Sequence, residues 1–429
     1  MDATILALAV PGMSADLSMS SGAIAWVMAG YVLTAGSLMI AGGRIAQAVG
    51  YPRVMTIGLI LFGLASAVGG AAHVGWLLIA ARVGQGLGAA MMTPAAMARL
   101  SASFPQEGRA KAYGVFGMIM GSGTALGLLL GGVLTQLAGW RACMYVNIAF
   151  VAVALVLSVF AGDRVDRAPG HGRGWWRGLI LAVGAALLIQ ALTAMEHPAR
   201  AAAFGGAGVL VIGAFVVLDR RTGRPLVPAV LFRDPTRRVA YGALFMWGIA
   251  TITTFVTASS VLQHEHGFAP LVVGALFLVY PAMIQLGLFV ARRFDGGPVT
   301  RSIGIGLALI CAGQAVYAFD PEGLAATLGA LALMGVGTSQ VMPNANSAMN
   351  RHAGPHAGVA GAVGTTLQQL GGSVGLAVPV ALAAVTTPTA GVAAGITALA
   401  LSVGAVLAFL AHPGAVTTEG TAADLSPRG

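Results

Sequence analysis

Apolar residues run along this chain in long blocks, each closed by a short polar stretch, and the pattern repeats from one end to the other. A block of about twenty residues, at about 1.5 Å of rise each, crosses the roughly 30 Å hydrocarbon core of a bilayer, so each block predicts one spanning helix. The blocks fall at about 23–43, 54–72, 76–97, 112–137, 142–161, 178–195 and 200–218, then at about 239–262, 269–291, 302–319, 323–343, 357–385 and 389–411. These are thirteen full spans. A shorter run, Ile5 to Met13, precedes them as a fourteenth. The connections are mostly short, which makes successive helices antiparallel, and none is large enough to hold a soluble domain. The expected fold class is an all-α polytopic membrane protein.

Composition agrees with that pattern. Hydrophobic residues make up 57% of the 429 positions and charged residues 9%, with a mean hydropathy of +0.85. A soluble domain carries roughly 25% charged residues because its surface faces water, so lipid is the expected solvent here. The 62 glycines and 19 prolines sit largely inside the apolar runs, where membrane helices tolerate them. Cys143 and Cys311 both lie in apolar segments and imply no disulfide framework. Met1-Asp2-Ala3 lacks the basic start of a signal peptide. The stretch from Met1 to Met13 gives only about 20 Å of helix, so the native start is expected roughly ten residues upstream, which would complete a full span.

The formal net charge of +9 and a pI near 10.4 raise nucleic-acid binding as an alternative. The placement of the charges removes it. With the first run starting on the cytoplasmic side, alternation puts every one of the 23 basic residues inside except Arg82, Arg141 and Arg200. This is the positive-inside asymmetry of a membrane protein. It predicts a bacterial cytoplasmic (inner) membrane location with a cytoplasmic C-terminus. The polar tail 412–429 reads as disordered.

Few residues carry chemistry. Arg82 is the only strongly basic residue inside a span. It either snorkels outward and caps carbonyls or carries function with a buried partner. The acid within reach in depth is Asp2, whose pKa desolvation would raise and approach of Arg82 would lower, so the pair could take and release a proton. Asp2 could equally be a solvated terminal residue. Gly123, Gly127 and Gly131 form a GxxxGxxxG ridge, with Gly117 and Gly121 before it; such ridges let helices approach closely and could form a sliding surface. Gln85, Asn147, Gln340, Asn344, Gln368 and Gln369 could line a cavity or simply hold helices together. The second-half spans contain no Asp or Glu, which argues against dicationic cargo. Trp175 and Trp176 read as interfacial anchors. His264-Glu265-His266 is an isolated outer loop, and no metal or cofactor is implied. Paired carboxylates or a nucleophile–base arrangement within the membrane are missing from the sequence, so an enzyme is not expected.

Several of these residues stand in a familiar arrangement. Arg82-Val83-Gly84-Gln85-Gly86-Leu87-Gly88-Ala89-Ala90 resembles the fourth-span signature RxxQGxGAA of the major facilitator superfamily. Gly43, Arg44, Gly50 and Arg53 fall where that superfamily has its gating loop between the second and third spans. Gly121 to Gly132, including Gly131 and Gly132, is similar to the fifth-span antiporter motif ending GPxxGG. Asp2-Ala3-Thr4-Ile5 with Pro11, Trp140-Arg141 with Asn147, and Gln369-Leu370-Gly371-Gly372 resemble elements of its fourteen-span drug:proton antiporter (multidrug efflux) branch.

The resemblance implies two six-helix bundles plus two inserted helices. The segments expected are 1–161 for the first bundle, 162–177 as a cytoplasmic loop, 178–218 for the inserted helices, 219–238 as a second loop, 239–411 for the second bundle and 412–429 as the tail. It implies a monomer moving small molecules against protons by alternating access, with Asp2 and Arg82 in proton coupling. Three departures bear on this. Gln47 and Ala48 replace the charged residues of the gating loop, Leu128 replaces the antiporter-motif proline, and Gln368 stands where the family often has arginine. An uptake or facilitated-diffusion transporter, or a non-transporting paralogue acting as a membrane sensor, therefore stays open as an alternative.

Overall fold

In the computed structural model the described residues are 2–103, 123, 126, 127, 129–160, 176–194, 197–222, 225–291, 298–350, 357–383 and 389–410, and these contain helices and no strand. In order they are α1 (Asp2–Asp16), α2 (Ser21–Val49), α3 (Tyr51–Gly70), α4 (Gly75–Ser103), α5 (Leu129–Ala138), α6 (Trp140–Phe160), α7 (Trp176–Thr193), α8 (Pro198–Arg221), α9 (Pro235–His264), α10 (Pro270–Phe277), α11 (Val279–Ala291), α12 (Val299–Phe319), α13 (Leu324–Asn350), α14 (Ala357–Ala383) and α15 (Thr389–Leu410). Among the described residues, nine helices are long and apolar enough to cross a membrane. Gly117, Gly121, Leu128, Trp175 and the tail 412–429 lie outside the described residues, as do the side chains of Asp2 and Gln47.

Several helices run past the predicted spans, and one correction matters for function. The stretch Gly43 to Val49 is not a loop: it forms the last two turns of α2. Nothing in Arg44-Ile45-Ala46-Gln47-Ala48-Val49 breaks a helix, so the chain stays helical until Gly50, whose φ of 109° only glycine adopts readily. Pro52 then sits in the first turn of α3, where its missing N–H costs nothing. The gating stretch is thus a one-residue corner between two rods. The predicted span 269–291 is divided at Leu278. Pro281 has no N–H to give the carbonyl of Phe277, and the Leu278 N–H turns back to Ala275 O at 3.1 Å.

The chain ends of these rods define two faces. One carries Arg44, Arg53, Arg177, Arg220, Arg221, Arg237 and Arg238, and is called here the arginine-rich end; the other carries the α1–α2, α5–α6 and α9–α10 corners and is the far end. Within the first half, α4 packs on α2 and α3, and α3 on α6. Within the second half, α9 packs on α14 and α13, and α12 on α13 and α15. The halves meet through α2 against α14, and α1 against α9 and α10; α7 lies along this seam, touching α2 and α14, with α8 outside it. Burial separates centre from periphery, since 72% of the apolar stretch of α2 is buried against 11% in α8. The outward faces of α6, α8 and α15 show Val156, Leu157, Val209, Leu210, Leu399 and Val403, an apolar belt suited to hydrocarbon.

Candidate functional site

Arg82 lies two turns into α4 from the far end and is fully buried. Its Nε donates to Val27 O of α2 at 3.1 Å, its Nη1 donates to Gln85 Oε1 at 2.7 Å, and its guanidinium carbon stands 4.6 Å from the centre of the Tyr31 ring. A cation over an aromatic face gains from the ring quadrupole, more so when desolvated. Gln85 passes the connection on, its Nε2 donating to Ser66 Oγ at 2.7 Å, and Ser66 Oγ donates to Phe62 O at 2.7 Å. A relay of polar groups therefore joins α2, α4 and α3 around one buried positive charge. In a medium of low dielectric such a chain fixes one geometry, because any member left unpaired is costly.

The glycines of the same signature bring the helices together around that charge. A Cβ at Gly86 would stand 2.6 Å from Tyr31 O of α2, and one at Gly88 would stand 2.7 Å from Gly58 O of α3. Gly86 thus faces α2 and Gly88 faces α3, and neither position admits a side chain. Asn147 of α6 is buried on the same half. Asp2 opens α1, 14 residues before Asp16, and Arg82 lies 7 residues after Gly75 at the start of α4. At about 1.5 Å per residue the Asp2 backbone sits about 10 Å nearer the arginine-rich end than that of Arg82.

The antiporter-motif helix forms part of the seam between the halves. Gly123 and Gly127 are helical, Gly127 being buried. A Cβ at Gly131 would meet the Ile5 backbone of α1 at 2.7 Å, and one at Gly132 would meet Pro270 O at 2.8 Å and Leu271 Cα at 2.9 Å at the start of α10. Near that end, Trp140 Nε1 donates to Asp16 Oδ2 at 3.0 Å. Arg141 pairs with the same carboxylate, donates to Ala72 O at 3.2 Å and stacks on Trp140. The Trp-Arg pair thereby ties α6 to α1 and to the turn that follows α3, and its donors hold the Asp16 carboxyl below its ordinary value.

The remaining candidates divide. Gln369 meets α2, since a Cβ at Gly36 would stand 2.7 Å from Gln369 Cβ, and Thr366 Oγ1 donates to Gly36 O at 2.6 Å beside it. The Gln368 backbone closes on Gly248 of α9. Gln340 and Asn344 are half-buried, and their hydrogen bonds stay within α13: Asn344 Nδ2 donates to Gln340 O at 2.7 Å, and Gln340 Nε2 to Ser339 Oγ at 3.3 Å. Arg44 reaches Pro225 O at 3.3 Å, while Arg53 is exposed. His264 and His266 contact the backbone carbonyls of Ser260 and Glu322; among the described residues no group of His, Cys, Asp or Glu could hold a metal ion.

Two polar clusters are not evident from the sequence. Trp247 Nε1 donates to Thr338 Oγ1 at 2.8 Å, and Tyr280 OH lies 3.0 Å from the same hydroxyl, joining α9, α13 and α11. Arg177 and Asp219, which the sequence places in or at the border of loops, form a buried ion pair at 2.6 Å. The one sequence signal for it is an acid directly after an apolar span, before Arg220-Arg221.

Residues 1–376 match the sequence profile described as Major Facilitator Superfamily. The puromycin resistance protein of Streptomyces alboniger is 33% identical over 400 residues, covering 88% of this chain and 77% of the relative. The tetracenomycin C resistance and export protein of Streptomyces glaucescens is 29% identical over 394 residues, covering 88% of this chain and 72% of the relative. Among solved structures, a proton-dependent oligopeptide transporter superposes with a TM-score of 0.68 at 16% identity, over 95% of this chain and 94% of the other, which speaks for the fold alone. With the signature arginine buried between α2, α3 and α4 and the glycine seam between the halves in place, the chain belongs to the major facilitator superfamily of multi-pass membrane transporters of small molecules.

Proposed function

We propose that this protein is a proton-coupled exporter of drug-like small molecules or secondary metabolites in the bacterial cytoplasmic membrane. The observation that carries this reading is the similarity, over 88% of this chain, to relatives named for antibiotic resistance and export. Residues 1–161 and 239–411 act as two rocking bundles and 178–218 as an inserted pair, in a monomer with the arginine-rich end and the C-terminus in the cytoplasm.

Arg82 and Asp2 form the coupling element. A carboxylate on α1 that protonates from the far side weakens its pull on a buried guanidinium, and deprotonation towards the cytoplasm restores it. The two groups come within reach as α1 moves against the Gly131 contact. The driving force suffices: about 2.3 kcal/mol per 100 mV with about 1.4 kcal/mol per pH unit sums to about 3.7 kcal/mol. For one proton and a neutral solute that sustains roughly a 500-fold gradient at about 1.4 kcal/mol per decade. Candidate contact residues for cargo are Gln85, Asn147, Gln340, Asn344, Gln368 and Gln369, with Gly43, Arg44, Gly50 and Arg53 shaping the cytoplasmic gate.

Expression in a host stripped of its own efflux pumps tests the reading. Raised tolerance to one or more antibiotics, abolished by Arg82→Ala and Asp2→Asn at equal membrane levels, is the expected result. Unchanged tolerance in those two variants would refute the coupling role.

A further inference from the structure

Among the described residues, the acid buried at the arginine-rich end is Asp219, in the last turn of α8, with 5% of its side chain exposed. Its Oδ1 accepts from Arg177 Nη1 at 2.6 Å and from Leu226 N at 2.7 Å, and its Oδ2 accepts from Val227 N at 3.0 Å. Arg177 Nη1 also donates to Thr222 Oγ1 at 2.7 Å, and that hydroxyl donates to Asp219 O at 2.8 Å. One carboxylate thus joins the start of α7 to the end of α8 and folds the following chain back beneath the bundle.

The folded-back segment continues across the molecule. Pro225 O accepts from Arg44 Nη2 at the end of α2. Leu226 and Leu231 are both 1% exposed and belong to the hydrophobic cluster that contains Ile40 of α2, Phe215 of α8 and Tyr241 of α9. Arg237, at the base of α9, then donates to Leu231 O at 3.4 Å and to Met349 O of α13 at 3.1 Å. The sequence from Gly43 to Gly50 offers Arg44 no acid. The partner it meets is a carbonyl whose position depends on Asp219.

We propose that residues 225–234 form a clasp across the arginine-rich end, locked by the Arg177–Asp219 pair, and that these two positioning residues set how readily that end opens during transport. The pair does with a buried charge what the gating stretch, with Gln47 and Ala48, cannot do with its own side chains. Separation of the halves at this end must part Arg44 and Ile40 of α2 from a segment rooted in α8 and α9. The buried ion pair keeps that segment seated against α2, because a clasp that swung away from Asp219 would strip its carboxylate of the Leu226 and Val227 donors and loosen the pair. The consequence for transport rests on the alternating-access reading above; the lock itself does not.

The test uses the full chain with Cys143 and Cys311 replaced by alanine. A single cysteine introduced by Leu226→Cys is labelled with a membrane-impermeant maleimide in inside-out vesicles. Labelling is expected to be slow in this parent and at least roughly tenfold faster with Asp219→Asn or Arg177→Gln added, while Arg177→Lys, which keeps the charge, stays near the parent. In separate samples, spin labels at Ala138 and Leu271 report the spacing of α5 and α10 at the far end. Asp219→Asn is expected to shift that distribution towards the short distance and Arg177→Lys to leave it in place, a response that a merely structural pair would not give. Should Asp219→Asn fail to reach the membrane, Thr222→Val removes one Arg177 acceptor and is expected to raise labelling to a smaller extent. Equal labelling in parent and variants overturns the lock, and faster labelling with an unmoved spin-label distribution overturns the positioning role. Loss of antibiotic tolerance in the parent itself, with the labelling pattern intact, counts against the export reading and leaves the clasp standing.

Discussion

Arg82 Nη1 and Gln85 Oε1 lie 2.7 Å apart, one turn of α4 from each other, with both side chains fully buried. Gln85 is therefore the side chain through which the guanidinium is tied to Ser66 and α3. Replacing Gln85 with Leu removes an acceptor from a buried cation, a loss of about 1.5–3 kcal/mol for a hydrogen bond to a charged group. The purified Gln85→Leu protein is expected to melt lower and to lose transport. Gln85→Glu is expected to keep the melting temperature while slowing turnover, because a fixed carboxylate holds Arg82 in a permanent pair. Thermal melting in detergent beside a transport rate reads both, and a Gln85→Leu protein as stable as the parent would contradict the relay.

Gly88 tests whether the signature glycines serve close approach. A side chain there meets Gly58 O and Phe62 N of α3. Gly88→Val is expected to cost at least about 1–3 kcal/mol through overpacking. Gly206 in α8 is exposed, and a Cβ added there would meet nothing within 4 Å, so Gly206→Ala is expected to be neutral or slightly stabilising through reduced backbone entropy. A Gly206→Ala protein that falls as far as Gly88→Val would contradict this assignment.

At the far end, the donors Arg141 and Trp140 lower the Asp16 carboxyl below its ordinary value of 3.8. A depressed folded-state value means that the contact contributes fully above that ordinary value and fades as pH falls through the lower, folded one. Asp16→Asn is therefore expected to reduce the melting temperature by a constant amount from pH 7 down to about pH 4, and by a shrinking amount below it. Melting curves of the two proteins across that range check the sign. A difference that widens on acidification would be the wrong one.

Gly131 and Gly132 let α5 lie against α1 and α10. Gly131→Leu has no space at the Ile5 backbone, so α5 is expected to be pushed off α1 and out of the seam. Faster labelling of an Ile5→Cys reporter from outside intact cells, together with lost transport, is the expected reading. Normal transport by Gly131→Leu would remove the seam from the mechanism.

Most of the fold is legible in the sequence because lipid demands long apolar runs whatever the packing, and Arg82 is legible as the one cation inside such a run. The break at Leu278 follows from Pro281, whose effect falls on the carbonyl four residues earlier and so lies off the residue that catches the eye. The gating stretch looks like a loop only through its resemblance; its own residues from Gly43 to Val49 are compatible with helix, and they decide the outcome. The Arg177–Asp219 pair is hidden for another reason: its partners stand 42 residues apart, and only folding at the end of α8 brings the acid inward. The acceptor of Gln85, Ser66, is likewise set by the α3–α4 approach that Gly88 permits.

The most direct measurement is accumulation of antibiotics in proteoliposomes under an imposed pH gradient. Inside-out protein and an acidic lumen are expected to concentrate at least one compound from a panel beginning with puromycin, to release lumenal protons as they do so, and to lose both effects when a protonophore collapses the gradient or when Arg82 is replaced by alanine. Accumulation that persists without the gradient, or folded protein that moves no compound of the panel in either direction, would contradict proton-coupled export.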